Sequence, residues 1–197
     1  MSSAISLGFD CNSAVEGVRM GIRSTKLQGY KTCVFDEMVT NYKGIIDCIN
    51  DDFKYLCDIK YLTLKTVGTE VFIHNTKYKF IFNHESPGHA NLYITQKWSK
   101  GINHYVMNNY EEFINRYNRR IQNIKELLNS KKRITFILTR PNTKRRDVSE
   151  LNAIIKHKYP SLKFRFLFLE CDKAWYRASL LDAMGCDEND EEVKRLN

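Results

Sequence analysis

At 197 residues, with 43% hydrophobic and 27% charged residues, the chain has the size and balance of one ordinary globular domain. No apolar run approaches the ~18 residues needed to span a bilayer, and Met1-Ser2-Ser3-Ala4 lacks the basic and apolar regions of a secretory signal. A net charge of +8 points to anionic partners, while Cys11, Cys33, Cys48, Cys57, Cys171 and Cys186 form no C-x-x-C pair and read as reduced thiols of an intracellular, cytoplasmic protein.

Residues 4–7 read as a short buried strand, followed by a sharp turn at Gly8 and a helix opening near Asp10 or Cys11. Asp10 suits an N-cap, and Val15, Val18 and Ile22 recur at helical spacing as the expected buried face. A cysteine at a helix start lies beside unpaired N–H groups and the positive end of the dipole, which favour thiolate. The neighbouring Asp10 opposes that effect. Cys11 therefore reads either as a reactive thiol or as a small residue packing a strand-to-helix turn.

Residues 33–35 form an apolar run expected as a second strand ending at Asp36. Ile45, Ile46, Ile49, Phe53 and Leu56 mark an amphipathic helix over 42–56, capped by Asn41. Strands are expected at 61–67, 70–73 and 77–82, the last two as a hairpin turning at Asn75-Thr76. Residues 83–101 are irregular and hold Pro87 and Gly88. Tyr110, Phe113, Ile114, Tyr117, Ile121, Ile124 and Leu128 predict a long helix over 111–129. Beyond it come a strand at 134–138, a helix at 147–159 stopped by Pro160, a strand at 164–169 and a closing helix at 174–184.

Residues 134–169 form a βαβ unit, which requires two parallel strands and a right-handed crossover. The expected architecture is α/β: a single domain over 1–185, three-layered and Rossmann-like, with a mostly parallel sheet and an inserted β-hairpin. Residues 186–197 are an acidic tail. Functional groups gather past the carboxyl ends of parallel strands, which brings Cys11, Arg140 and Cys171 to one edge.

A cysteine nucleophile needs a base, usually histidine. His157 reads as helix surface and His74 as structural. His84 enters the irregular loop after a strand and is the best-placed base. His84 and His89 miss the zinc-protease spacing by one residue and are separated by Pro87-Gly88, so no metal is expected. With no P-loop and no G-x-G-x-x-G, no cofactor is expected either. Lys131-Lys132-Arg133 and Lys144-Arg145-Arg146 flank one strand and read as an anionic-partner surface or a solvated rim. The absence of RNP, KH and finger patterns favours the rim.

Ser6-Leu7-Gly8-Phe9-Asp10-Cys11, Val34-Phe35-Asp36-Glu37, His84-Glu85, and the arginine-bearing helix Tyr117-Asn118-Arg119-Arg120-Ile121 running to a strand ending at Arg140 occur in that order. Together they resemble a papain-like cysteine peptidase family with members in bacteria and some large DNA viruses. Around Phe35-Asp36 the chain lacks the proline and tryptophan of that family's Pro-Phe-Asp-Trp. The resemblance implies a cysteine-dependent hydrolase acting on a peptide, protein or acyl substrate, and a papain-like α+β fold as the alternative architecture. Its site would use Cys11 as nucleophile, His84 as base and Asp36 as orienting carboxylate, with backbone N–H groups at the helix start as the oxyanion hole. A viral member would act in the host cytoplasm. Two other readings stand beside it. One is a non-catalytic interaction protein that retains the fold. The other is a nucleic-acid-binding module using Arg140, Lys144, Arg145 and Arg146.

Overall fold

Ala4, Ile5, Ser6 and Leu7 are all buried, so the first strand, β1 (Ser3–Gly8), is interior on both faces, as parallel strands are. The computed structural model describes residues 3–67, 70–85, 103–140 and 148–170. Within them β1 pairs in parallel with β5 (Ile134–Arg140), which pairs in parallel with β6 (Phe164–Glu170). The crossover from β5 to β6 runs through α5 (Ser149–Lys158), so the βαβ unit and its neighbour β1 are as expected.

Residues paired across a parallel ladder share a face. Ser6 with Ile137 faces α1 (Asn12–Arg19), whereas Ile5 with Phe136 joins the main hydrophobic cluster. The buried residues of α1 are Ser13, Ala14 and Gly17, while Val15 is 59% exposed, so the expected Val15-Val18-Ile22 face is overturned. The reason is close approach. A Cβ at Gly17 would lie 2.6 Å from Ile137 Cδ1, and only a stripe of small residues lets the helix lie that near the sheet.

Residues 33–36 are not a strand. Val34–Glu37 is a turn of 3-10 helix, because the Asp36 carboxylate folds back to accept the Cys33 N–H at 2.7 Å. Asn41 caps α2 (Tyr42–Asn50) as expected, accepting from Gly44 N at 2.6 Å. The helix stops six residues early, where Asp52 and Phe53 take φ of 55° and 64°. Phe53 and Leu56 still reach the core from the following turns.

The inserted hairpin is a three-stranded antiparallel sheet in the order β2 (Leu62–Val67), β3 (Glu70–Asn75), β4 (Phe80–Phe82). The described strands thus divide equally between a parallel sheet and an antiparallel hairpin sheet, so the domain is mixed α/β. A short helix, α3 (His104–Met107), has no counterpart in the sequence pattern. The long helix is α4 (Glu111–Leu128), and Phe113, Tyr117, Arg120, Ile124 and Leu128 form its buried face. Its Phe113 and Tyr117 rings stand edge-on to Phe82, with centroids at 4.7 and 4.8 Å. The closing helix at 174–184, the acidic tail at 186–197 and most of the irregular stretch lie outside the described residues. No helix among those described is long and apolar enough to cross a membrane.

Residues 39 and 40 stitch the two sheets together. Val39 exchanges both backbone hydrogen bonds with Ile81, at 2.8 and 3.0 Å. Thr40 N donates to Phe9 O at 2.9 Å, and Thr40 Oγ1 donates to Leu7 O at 2.8 Å. Gly8 makes this possible: its φ is +114°, and a Cβ there would meet Thr40 Oγ1 at 1.8 Å. Gly8→Ala is expected to destabilise the protein by at least about 1–3 kcal/mol through this overpacking. A urea-unfolding midpoint unchanged from wild type would contradict the stitch.

Candidate functional site

Cys11 occupies the N-cap position of α1, just past the carboxyl end of β1, and is half-buried. Its carbonyl accepts from Ala14 N at 3.1 Å and Val15 N at 3.2 Å, which fixes the first turn. Asp10 sits one residue before the cap rather than on it. Its Oδ1 accepts from Asn12 N and its Oδ2 from the Asn12 side-chain amide, both at 2.9 Å. Below the turn Ser13 Oγ donates to Asp10 O at 2.9 Å and is hydrogen-bonded to Ser6 Oγ, whose hydroxyl also reaches Phe35 O at 3.3 Å. The cysteine turn is thereby pinned to the 34–37 turn.

The remaining described cysteines are poor nucleophile candidates. Burial pushes the Cys33 thiol up to about 12, with the Asp36 charge adding to it. Burial alone takes Cys57 to about 12, and it raises Cys48 well above its ordinary value. Cys171 and Cys186 lie outside the described residues.

His84 follows β4 and is buried, at 5% exposure. Val39 and Thr40 link the strand that leads to it with the turn that leads to Cys11. Glu85 N donates to Phe82 O at 3.0 Å, and the fully buried Glu85 carboxylate is paired with Arg116 of α4. His74 lies in β3, where burial and then the Lys65 charge hold it down at about 4. It stays neutral near pH 7 and is a weak base. His89 is outside the described residues, as is the side chain of His104.

Asp36 is 2% exposed and well supplied with donors. Oδ2 accepts from Cys33 N at 2.7 Å, Tyr30 Oη at 3.0 Å and Arg23 Nη2 at 3.2 Å. Burial raises its pKa, and the Arg23 charge, the Cys33 N–H and the Tyr30 hydroxyl oppose that rise. Arg23 also lies over the Tyr30 ring, 4.0 Å from its centroid. The Asp36 carboxylate is therefore a cap for its own turn.

Sequence reasoning missed the partners of these acids. Glu37, next to Asp36, is paired with the buried Arg120 of α4 and with Lys26 Nζ at 3.1 Å. Arg116 and Arg120 lie four residues apart, so two successive turns of α4 supply the partners of Glu85 and Glu37. The signal was present: position 120 falls in the buried stripe between Tyr117 and Ile124, where an arginine needs a buried acid. Of the basic residues, Arg140 ends β5 and Lys144, Arg145 and Arg146 lie outside the described residues. Among the described residues no group of three or more His, Cys, Asp or Glu side chains is arranged to hold a metal.

The described residues form a mixed α/β domain in which Cys11 opens the helix after a parallel strand and the buried His84 follows the last strand of the antiparallel sheet. The chain belongs to the family described as "Putative papain-like cysteine peptidase (DUF1796)", whose sequence profile matches residues 2–174. Comparison with curated proteins gave no match, and comparison with solved structures gave none.

Removing one partner of a buried ion pair strands the other charge, which typically costs 3–5 kcal/mol. Arg120→Met is expected to lose about 3 kcal/mol, near the lower end because Lys26 still reaches Glu37. Adding Glu37→Gln should restore part of that loss in chemical denaturation. A single variant as stable as wild type would show that the pair is not needed.

Proposed function

We propose that the protein is a cysteine-dependent hydrolase of peptide, protein or acyl substrates, with Cys11 as nucleophile and His84 as base. The observation that carries this reading is the placement of Cys11 at the N-cap of α1, just past the carboxyl end of β1, a position between a parallel strand and an α-helix that no other described cysteine occupies. In this reaction the Cys11 sulfur bonds to the acyl carbon, and His84 takes the thiol proton and passes it to the departing group. Water, deprotonated by the same imidazole, then releases the acyl group and restores the thiol. Backbone N–H groups at the start of α1 would stabilise the oxyanion. Asn12 N is held by Asp10, so its use requires exchanging that carboxylate for the substrate oxygen. The parallel sheet, with α1 on one face and the main core on the other, supports a Rossmann-like scaffold over a papain-like α+β one.

The active geometry brings the Cys11 sulfur and a His84 ring nitrogen to within roughly 3–5 Å across one cleft. Asp36 enters as a positioning residue, through its turn and through Arg23. If Asp36 also orients the imidazole, Asp36→Asn should keep the fold and sharply lower activity, because the preferred tautomer is lost. Lower stability with unchanged activity per folded molecule assigns Asp36 to the turn alone.

The direct test is competitive labelling with a thiol-reactive probe, read by peptide mass spectrometry. Cys11 is expected to react far faster than the other cysteines, and Cys11→Ser should fold normally and abolish turnover. Even labelling, or none at Cys11, would favour a non-catalytic interaction protein.

A further inference from the structure

Arg133 and Lys163 immediately precede β5 and β6, so both lie at the amino edge of the parallel sheet. Cys11 follows β1 and lies at the opposite, carboxyl edge. Both backbones are held into the sheet there, with Ile134 N donating to Lys163 O at 2.8 Å and Ser3 N to Arg133 O at 3.0 Å. One residue into the ladder Arg165 pairs with Thr135, and Arg165 Nε donates to Thr135 Oγ1 at 3.1 Å. The last turn of α5 brings Lys156 to the same edge, with Asn152 one turn before it.

These elements border an open groove of about 510 Å³ whose lining includes Arg133, Asn152, Lys156, Leu162, Lys163, Phe164 and Arg165. Every charged residue of the lining is a cation, and all of them are exposed. Among the described residues none of these cations takes part in an ion pair, whereas Arg23, Arg116 and Arg120 all do. Gathering like charges in one concave site is unfavourable unless an anion relieves the repulsion. Phe164 also lines the groove, half-buried against Phe136 and Phe166, and the part of it left accessible is apolar surface on which a nucleic-acid base can rest.

We propose that this groove binds single-stranded nucleic acid, with Arg133, Lys156, Lys163 and Arg165 on successive phosphates and Phe164 beneath a base. The site is separate from Cys11 and does not depend on hydrolase activity. Neutralising phosphates releases counterions, so binding should weaken as salt rises, with a log–log slope of about −0.7 per phosphate contacted.

The test is fluorescence anisotropy of a labelled oligothymidylate of about 12 nucleotides, titrated with the full chain between about 50 and 200 mM salt. Wild type is expected to bind with a slope near −3, from all the cations together. Lys156→Glu combined with Lys163→Glu should weaken binding by about tenfold or more at low salt and flatten the slope. Both side chains are exposed, so an unchanged thermal melt by circular dichroism confirms that the variant folds. Three results would overturn the proposal: no salt-dependent binding by wild type, undiminished binding by the double variant, or displacement by polyglutamate as effective as by unlabelled oligonucleotide. Loss of binding only on substituting Lys144, Arg145 and Arg146 would move the site to that loop and overturn it equally.

Discussion

Two adjacent carboxylates, Asp36 and Glu37, are buried on a single turn of 3-10 helix, and much of the fold is arranged to make that tolerable. Taking an ion out of water costs several kcal/mol unless a partner and hydrogen bonds compensate. The compensation comes from Arg23 after α1 and the nearby Tyr30 for Asp36, and from Arg120 of α4, 83 residues away, for Glu37. Each partner fixes an element. The acids therefore hold α1 and α4 at set distances from one turn, which itself rests on β1 through Ser6 and Phe35 O.

That frame positions the candidate site from both sides. On the first, Gly8 lets Thr40 close on β1, and the Ser6–Ser13 hydroxyl pair holds the start of α1, where Cys11 sits. On the second, Phe82 is clasped by Phe113 and Tyr117 while Arg116 secures Glu85, which fixes His84 between them. Val39 and Thr40 join the two sides through main-chain bonds. The proposed site, with Cys11 after β1 and His84 after β4, thus depends less on either sheet than on the connector between them. At Phe35-Asp36 the acid holds the connector chiefly through one oxygen, Oδ2, which accepts from Cys33 N, Tyr30 Oη and Arg23 Nη2.

The parts of the fold legible in the sequence are those governed by local periodicity. The face of α4 follows Phe113, Tyr117, Ile124 and Leu128, and β5–α5–β6 follows from apolar runs around an amphipathic helix. The Asn41 cap was legible because a short polar side chain before an apolar helix has one obvious use. What stayed hidden involved contacts that hydropathy does not encode. The Cys33-Val34-Phe35 run reads as a strand, and only the fold-back of the Asp36 carboxylate makes it a turn. The valines of α1 look like a core face, yet Ser13, Ala14 and Gly17 are buried because Ile137 leaves no room for larger groups. The ion pairs join residues 11 to 83 positions apart, so Cys11, His84 and Asp36 could be named as candidates in advance while the partners of Asp36, Glu37 and Glu85 could not.

The pH dependence of Cys11 alkylation, in wild type and in His84→Gln, tests the cysteine–histidine reading most directly. Coupling to His84 at a helix start should give an apparent pKa clearly below the free-thiol value of about 8.5, and the substitution should shift it upward. Superimposable curves at or above that value in both proteins would contradict the account, leaving Cys11 as a residue that packs its turn.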